Sequence, residues 1–146
     1  MRTVLVLNGP NLNLLGSREP EVYGRSTLAD VERLCHDTAR PLGLTVDFRQ
    51  SNHEGVLIDA VQEARASMDA VVLNPAGYSH TSIALMDALA ACTFPVVEVH
   101  LSNVHRREEF RHLSYVSKVA GAVIAGCGVQ GYAFALQHVA AQLPTA

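Results

Sequence analysis

Short apolar runs alternate with stretches of helical periodicity along the chain. Residues 3–7 form a β-branched and leucine run with the length of a buried strand. Asn8-Gly9-Pro10-Asn11 interrupts it. Residues 11–25 have no clear period and hold Gly16, Pro20 and Gly24, so they read as a long loop of the kind that forms lids and binding loops. Thr27-Leu28-Ala29-Asp30 has the form of a capping box with Asp in place of Glu. It opens a helix whose apolar positions Leu28, Val31, Leu34 and Cys35 share a face, and Pro41 and Gly43 end it. Residues 44–48 predict a second strand. Residues 54–66 predict a second helix, with Leu57, Val61 and Ala64 on one side and Ile58 adjoining. A third strand follows at 70–73 and a third helix at 81–91, with Thr81 or Ser82 near its start. Strand four covers 94–99, with Pro95 at its beginning; strand five covers 119–125; a last helix covers 129–143, and residues 144–146 are expected to fray.

Strands that alternate with helices argue for a parallel sheet covered on both faces. Right-handed crossovers then give a doubly wound, flavodoxin-like α/β sheet of five strands in the order 2-1-3-4-5. The 146 residues predict one domain spanning 1–146, with a lid loop at about 16–25 and no repeats or linkers. This architecture hosts many activities. It does predict a site beyond the C-terminal ends of the strands.

Composition narrows the chemistry. Hydrophobic residues make up 49% of the chain, enough for a buried core. The net charge of −3 gives no electrostatic case for nucleic acid or an anionic membrane. No apolar run approaches the length of a membrane span, and Met1-Arg2 runs straight into a strand, so a cytoplasmic location is expected. Cys35, Cys92 and Cys127 are odd in number and widely spaced, which reads as buried reduced thiols. Lys118 is the sole lysine, set just before strand five with no catalytic neighbours. Imine catalysis needs a desolvated lysine in a pocket, so that route is disfavoured.

Polar residues converge on one sheet edge. Strand one delivers Asn8 and Asn11 and then the loop with Arg18 and Tyr23. Strand two delivers Arg49, Gln50, Ser51 and Asn52. Strand three delivers Asn74, Tyr78, Ser79 and His80. Strand four is the most informative, because Glu98 and His100 are two apart in an apolar strand and so project from the same face. A carboxylate beside an imidazole fixes its tautomer and raises its basicity. Arg106, Arg107 and Arg111 follow and suit an anion. Taken singly, the asparagines also suit turns, His80 a helix-cap neighbour, the arginines solvated charge and Tyr23 loop packing. Residues 126–131 fit G-x-G-x-x-G between a strand and a helix, but the further strand and acid of a dinucleotide site are missing. The glycines read better as a tight turn with close helix packing; a nucleotide- or flavin-binding module is the competing interpretation. No metal site is expected, since Glu98, His100, His105 and His112 lack a metal-binding spacing and the arginines would repel a cation.

Residues 8–16 (NGPNLNLLG), 18–24 (REPEVYG), 50–54 (QSNHE), 73–82 (LNPAGYSHTS), 98–111 (EVHLSNVHRREEFR) and 126–132 (GCGVQGY) together resemble type II 3-dehydroquinate dehydratase. The resemblance runs in order over nearly the whole chain. It implies a cofactor-free dehydration of 3-dehydroquinate to 3-dehydroshikimate. Tyr23 would be the base, with Arg18 beside it, since an unperturbed phenol with a pKa of about 10 is a poor base at neutral pH. Asn11 would hold a water at the enolate, and His100, oriented by Glu98, would protonate the departing hydroxyl. Asn74, His80 and Arg111 would bind substrate hydroxyls, the backbone at Leu101 and Ser102 the carboxylate, and Arg107 would be a second lid arginine. Arg106 is an additional cation, and the sequence leaves open which of the two faces the lid. Asp87 would reach a neighbouring subunit's site in a homo-oligomer, typically a dodecamer of trimers.

Overall fold

The computed structural model describes residues 1–144; Thr145 and Ala146, two of the three residues expected to fray, lie outside the described residues. Five parallel strands form one sheet in the order β2-β1-β3-β4-β5. They are β1 (Arg2–Asn8), β2 (Leu44–Gln50), β3 (Ala70–Asn74), β4 (Val96–His100) and β5 (Ala122–Ala125). The helices are α1 (Pro20–Tyr23), α2 (Leu28–Ala39), α3 (Glu54–Ser67), α4 (Ile83–Ala90) and α5 (Gln130–Gln142).

Strand periodicity splits the core in two. Val4 and Val6 of β1 pack with Val31 and Cys35 of α2 and Leu136 of α5 on one face. Leu5 and Leu7, pointing the other way, pack with Leu57 and Val61 of α3 and Leu85 and Leu89 of α4. Of the three cysteines expected to be buried, Cys35 is; Cys92 is half-buried and Cys127, in the glycine-rich turn before α5, is exposed. The central strands are buried on both faces, which is why β1 and β3 read as continuous apolar runs. The expected capping box is present: Thr27 Oγ1 accepts from the Asp30 N–H at 3.2 Å, and Asp30 Oδ2 accepts from the Thr27 N–H at 2.9 Å. At α4 the cap is Ser82, whose Oγ accepts from the Leu85 N–H at 2.9 Å.

Several boundaries differ from the sequence expectation: strand four runs Val96–His100 rather than 94–99, so that His100 lies within it, β2 continues to Gln50, and α4 is shortened to Ile83–Ala90. Strand five begins at Ala122, not at residue 119, because the Val119 and Ala120 N–H groups turn back to the Val116 carbonyl. Sheet pairing resumes only where the Gly121 N–H reaches the Val96 carbonyl at 2.8 Å. The loop after β1 also contains the single turn α1, begun by Pro20, whose fixed φ suits a first helical position. It ends on Tyr23.

Backbone geometry draws the strand ends together. A Cβ on Gly9 would lie 2.5 Å from the Pro75 carbonyl oxygen, so only glycine lets the β1 and β3 exits touch. A Cβ on Gly131 would meet Ile124 and Val99 at 3.4 Å, the close seating of α5 on the sheet that the glycine-rich turn predicts. Among the described residues, three non-glycine residues hold positive φ: Asn11 at 69°, Glu19 at 42° and Ala76 at 52°. Asn11 and Ala76 line the cavity described next, and Glu19 starts the turn that presents Tyr23.

Candidate active site

A cavity of about 160 Å³ opens beyond the C-terminal ends of β1, β3 and β4. Asn11, Arg18, Tyr23, Asn74, His80, His100, Leu101, Ser102, Arg107 and Arg111 all line it. No Asp or Glu does, and three of the lining residues are guanidiniums, so the cavity suits a small anion.

On one wall sits the acid–imidazole pair. Glu98 is wholly buried in β4, and one of its carboxylate oxygens accepts from His100 Nε2. A carboxylate cannot donate, so the proton is on Nε2 and Nδ1 is the free ring nitrogen. Two serines from the connection after β4 also donate to Glu98: Ser114 Oγ at 2.7 Å and Ser117 Oγ. Burial pushes the Glu98 carboxyl up, but hydrogen bonds from His100, Ser117 and Ser114 and the charge of His100 outweigh it, and the group is held below its ordinary range. The pair is therefore a buried carboxylate supporting an imidazole at the cavity wall.

Tyr23 faces it from the loop. Its hydroxyl accepts from Arg107 Nη1 at 2.7 Å. The guanidiniums of Arg18 and Arg107 stand 5.3 and 5.1 Å from its ring centre. Arg18 thus stands beside the phenol ring and pairs with Glu19 at 3.5 Å, while the hydrogen bond to the phenol oxygen comes from Arg107. Arg107 is the arginine that hydrogen-bonds the loop at Tyr23; Arg106 is exposed and borders the open cleft between Val22–Gly24 and Gly126 and Gly128. Glu108 pairs with Arg111 at 3.1 Å and lies 3.8 Å from Arg107. The Arg111 hydrogen bond holds the Glu108 carboxyl below its ordinary range. His80 Nδ1 donates to the Leu113 carbonyl at 2.7 Å, leaving Nε2 as its free ring nitrogen.

The family sequence model described as dehydroquinase class II matches residues 2–140. The chain belongs to this family. A protein named 3-dehydroquinate dehydratase from Streptomyces avermitilis is 64% identical over 143 residues, covering 97% of this chain and 90% of that protein. One named 3-dehydroquinate dehydratase 2 from Pseudomonas aeruginosa is 59% identical over 145 residues, covering 99% and 98%. The crystal structure of type II dehydroquinase from Propionibacterium acnes superposes with a TM-score of 0.94 at 44% identity, covering 97% of each chain.

In this class II dehydroquinase chain the cavity gathers every site residue expected from the sequence except two. Glu98 stands behind His100 rather than on the surface, and Asp87 lies on α4 in a separate groove with Arg65 and Gln62 of α3. Sequence reasoning missed Ser114 and Ser117, which hold the Glu98 carboxylate, and Tyr132, a fully buried tyrosine joined to Asn8 and Asn74. A buried acid announces that donors must exist. Nothing local says that they come 16 and 19 residues later. Among the described residues no helix is long and apolar enough to cross a membrane, and no group of three or more His, Cys, Asp or Glu is placed to hold a metal.

Proposed function

We propose that the chain is a 3-dehydroquinate dehydratase that forms 3-dehydroshikimate by anti elimination of water through an enolate. The observation that carries this reading is the pairing, across one cationic cavity, of a phenol held by arginine and an imidazole held by a buried carboxylate. The family match and the names of the relatives support the same substrate.

Tyr23, as phenolate beside Arg107 and Arg18, takes the proton alpha to the ketone. The negative charge moves onto the enolate oxygen, where a water held by Asn11 steadies it. Collapse of the enolate expels the hydroxyl, which takes a proton from His100 Nδ1 and leaves as water. Glu98 stabilises the charged imidazole before that transfer and keeps Nδ1 facing the cavity. Tyr23 ends protonated and His100 neutral, so one proton must return from Tyr23 to His100, through solvent, before the next turnover. Asn74, His80 and Arg111 bind hydroxyls, the backbone at Leu101 and Ser102 binds the carboxylate, and Arg107 closes with the loop at 16–25. The route uses no cofactor and no imine: the sole lysine, Lys118, is exposed and does not line the cavity.

The reaction serves the shikimate pathway or quinate breakdown, in the cytoplasm. The active form is a homododecamer of trimers, with Asp87 reaching a neighbour's site. Its place on α4 outside its own cavity, with Ile83 exposed on the same helix and Val56 exposed on α3, supports that role.

Purified protein mixed with 3-dehydroquinate, without added metal or nucleotide, should develop the ultraviolet absorbance of a conjugated enone. A flat trace at high protein concentration overturns the reading. Borohydride added with substrate should leave activity intact; inactivation would reinstate an imine.

A further inference from the structure

Asn74 has an amide whose two ends could be exchanged without changing its shape, yet the cavity meets only one arrangement. Asn74 Oδ1 accepts from the Ala76 N–H at 3.2 Å, and its Nδ2 donates to the Tyr132 hydroxyl at 3.0 Å. The Tyr132 hydroxyl in turn donates to Asn8 Oδ1 at 2.7 Å, and Asn8 Nδ2 donates to the Arg49 carbonyl at 3.0 Å. The two ends of this relay are backbone groups that cannot change role: Arg49 offers only an acceptor and Ala76 only a donor. A flip of either amide would set donor against donor or acceptor against acceptor. Tyr132 and Asn8 are wholly buried, so water cannot replace a lost partner. Burial also pushes the Tyr132 phenol well above its ordinary range, so it stays a neutral donor.

We propose that Tyr132, which does not line the cavity, is a positioning residue that fixes the Asn74 amide so that one Nδ2–H and one Oδ1 lone pair remain for a substrate hydroxyl. The relay ties β1, β2, β3 and α5 to the turn at Ala76, a cavity residue with positive φ. The Gly131 contact that seats α5 on the sheet sets the depth at which the neighbouring Tyr132 enters. The catalytic consequence rests on the assignment of Asn74 as a substrate ligand.

Tyr132→Phe keeps the ring and removes only the hydroxyl. It should raise KM for 3-dehydroquinate by about tenfold, the scale of one oriented amide hydrogen bond, with kcat within about threefold. In an Asn74→Ala background the same change should add less than about twofold. An equal loss in both backgrounds would mean general loosening of the sheet and overturns the proposal. A second measurement needs no variant and no substrate. In the unmutated protein the buried Tyr132 hydroxyl proton should give a slowly exchanging NMR resonance with a cross-relaxation contact to the Asn74 side-chain NH₂. Absence of that contact overturns the proposal. Failure of the dehydratase reading would appear separately, as an unmutated chain that does not turn over 3-dehydroquinate.

Discussion

Two side chains divide the proposed chemistry, and each is held by a hydrogen-bonded partner. For Tyr23 the partner is Arg107, so Tyr23→Phe should lower kcat by at least about 100-fold while 3-dehydroquinate binding stays measurable by calorimetry. Retention of most of the rate would remove Tyr23 as the base. For His100 the partner is Glu98, whose carboxyl is held below its ordinary value near 4.5. A depressed folded value means that Glu98 stabilises the fold above the unfolded value, and that this contribution is lost as pH falls through the folded one. Urea midpoints taken from pH 6 down to pH 3 should therefore fall for the native chain. Glu98→Gln should lack that part of the slope and should lower kcat by about 10-fold or more. Parallel acid profiles for the two proteins would show that Glu98 is not held ionised by its buried donors. At this scale Glu98 and His100 were legible in the sequence, because an acid and an imidazole interrupt an apolar strand at a spacing of two. Ser114, Ser117 and Tyr132 were not, since an isolated serine or tyrosine carries no signal of what it will touch.

Secondary-structure elements were legible where period and caps agreed. The α2 capping box and the paired helix faces follow from local pattern. The start of β5 did not, because Val119 extends the apolar run and has strand propensity, yet it lies with Ala120 in a turn closed by hydrogen bonds to Val116. Propensity is a weak preference that nearby backbone bonding overrides. Two substitutions separate elements that build the site from those that only support it. Gly9→Ala sets a Cβ against the Pro75 carbonyl, so it should cost about 1–3 kcal/mol in urea unfolding and also depress turnover, since the displaced turn carries Asn74 and Ala76. Thr27→Ala removes a cap from a helix that contributes nothing to the cavity, so it should cost about 1 kcal/mol and leave kcat unchanged. Equal effects of the two on kcat would refute this division.

On the scale of the whole molecule, the doubly wound order places the exits of β1, β3 and β4 side by side, and the cavity lies over them. Exposed Phe110, Leu113, Ile83 and Val56 leave apolar surface uncovered in a single chain. Sedimentation velocity should therefore give a mass well above the 15.7 kDa of one chain, and the proposed dodecamer predicts twelve copies. A species of 15.7 kDa at micromolar concentration would overturn the assembly and the role of Asp87 across it.

By itself the sequence determined the alternation of strands and helices, the parallel sheet with two covered faces, and the acid–imidazole pair. Those rest on side-chain periods of two and 3.6, which are local properties of the backbone. Its motifs also carried the family resemblance. Only the tertiary structure decided which arginine meets Tyr23, which hydroxyls hold Glu98 ionised, and that Tyr132 joins Asn8 to Asn74. Each of those contacts links residues 16 to 124 positions apart. Such pairs meet because layers of the sheet stack, and no local pattern encodes which polar atoms then face each other. The stretch that carries Glu98 and His100 is rigid strand. Its counterpart Tyr23 is brought over the same cavity by a loop whose course depends on contacts made elsewhere in the fold.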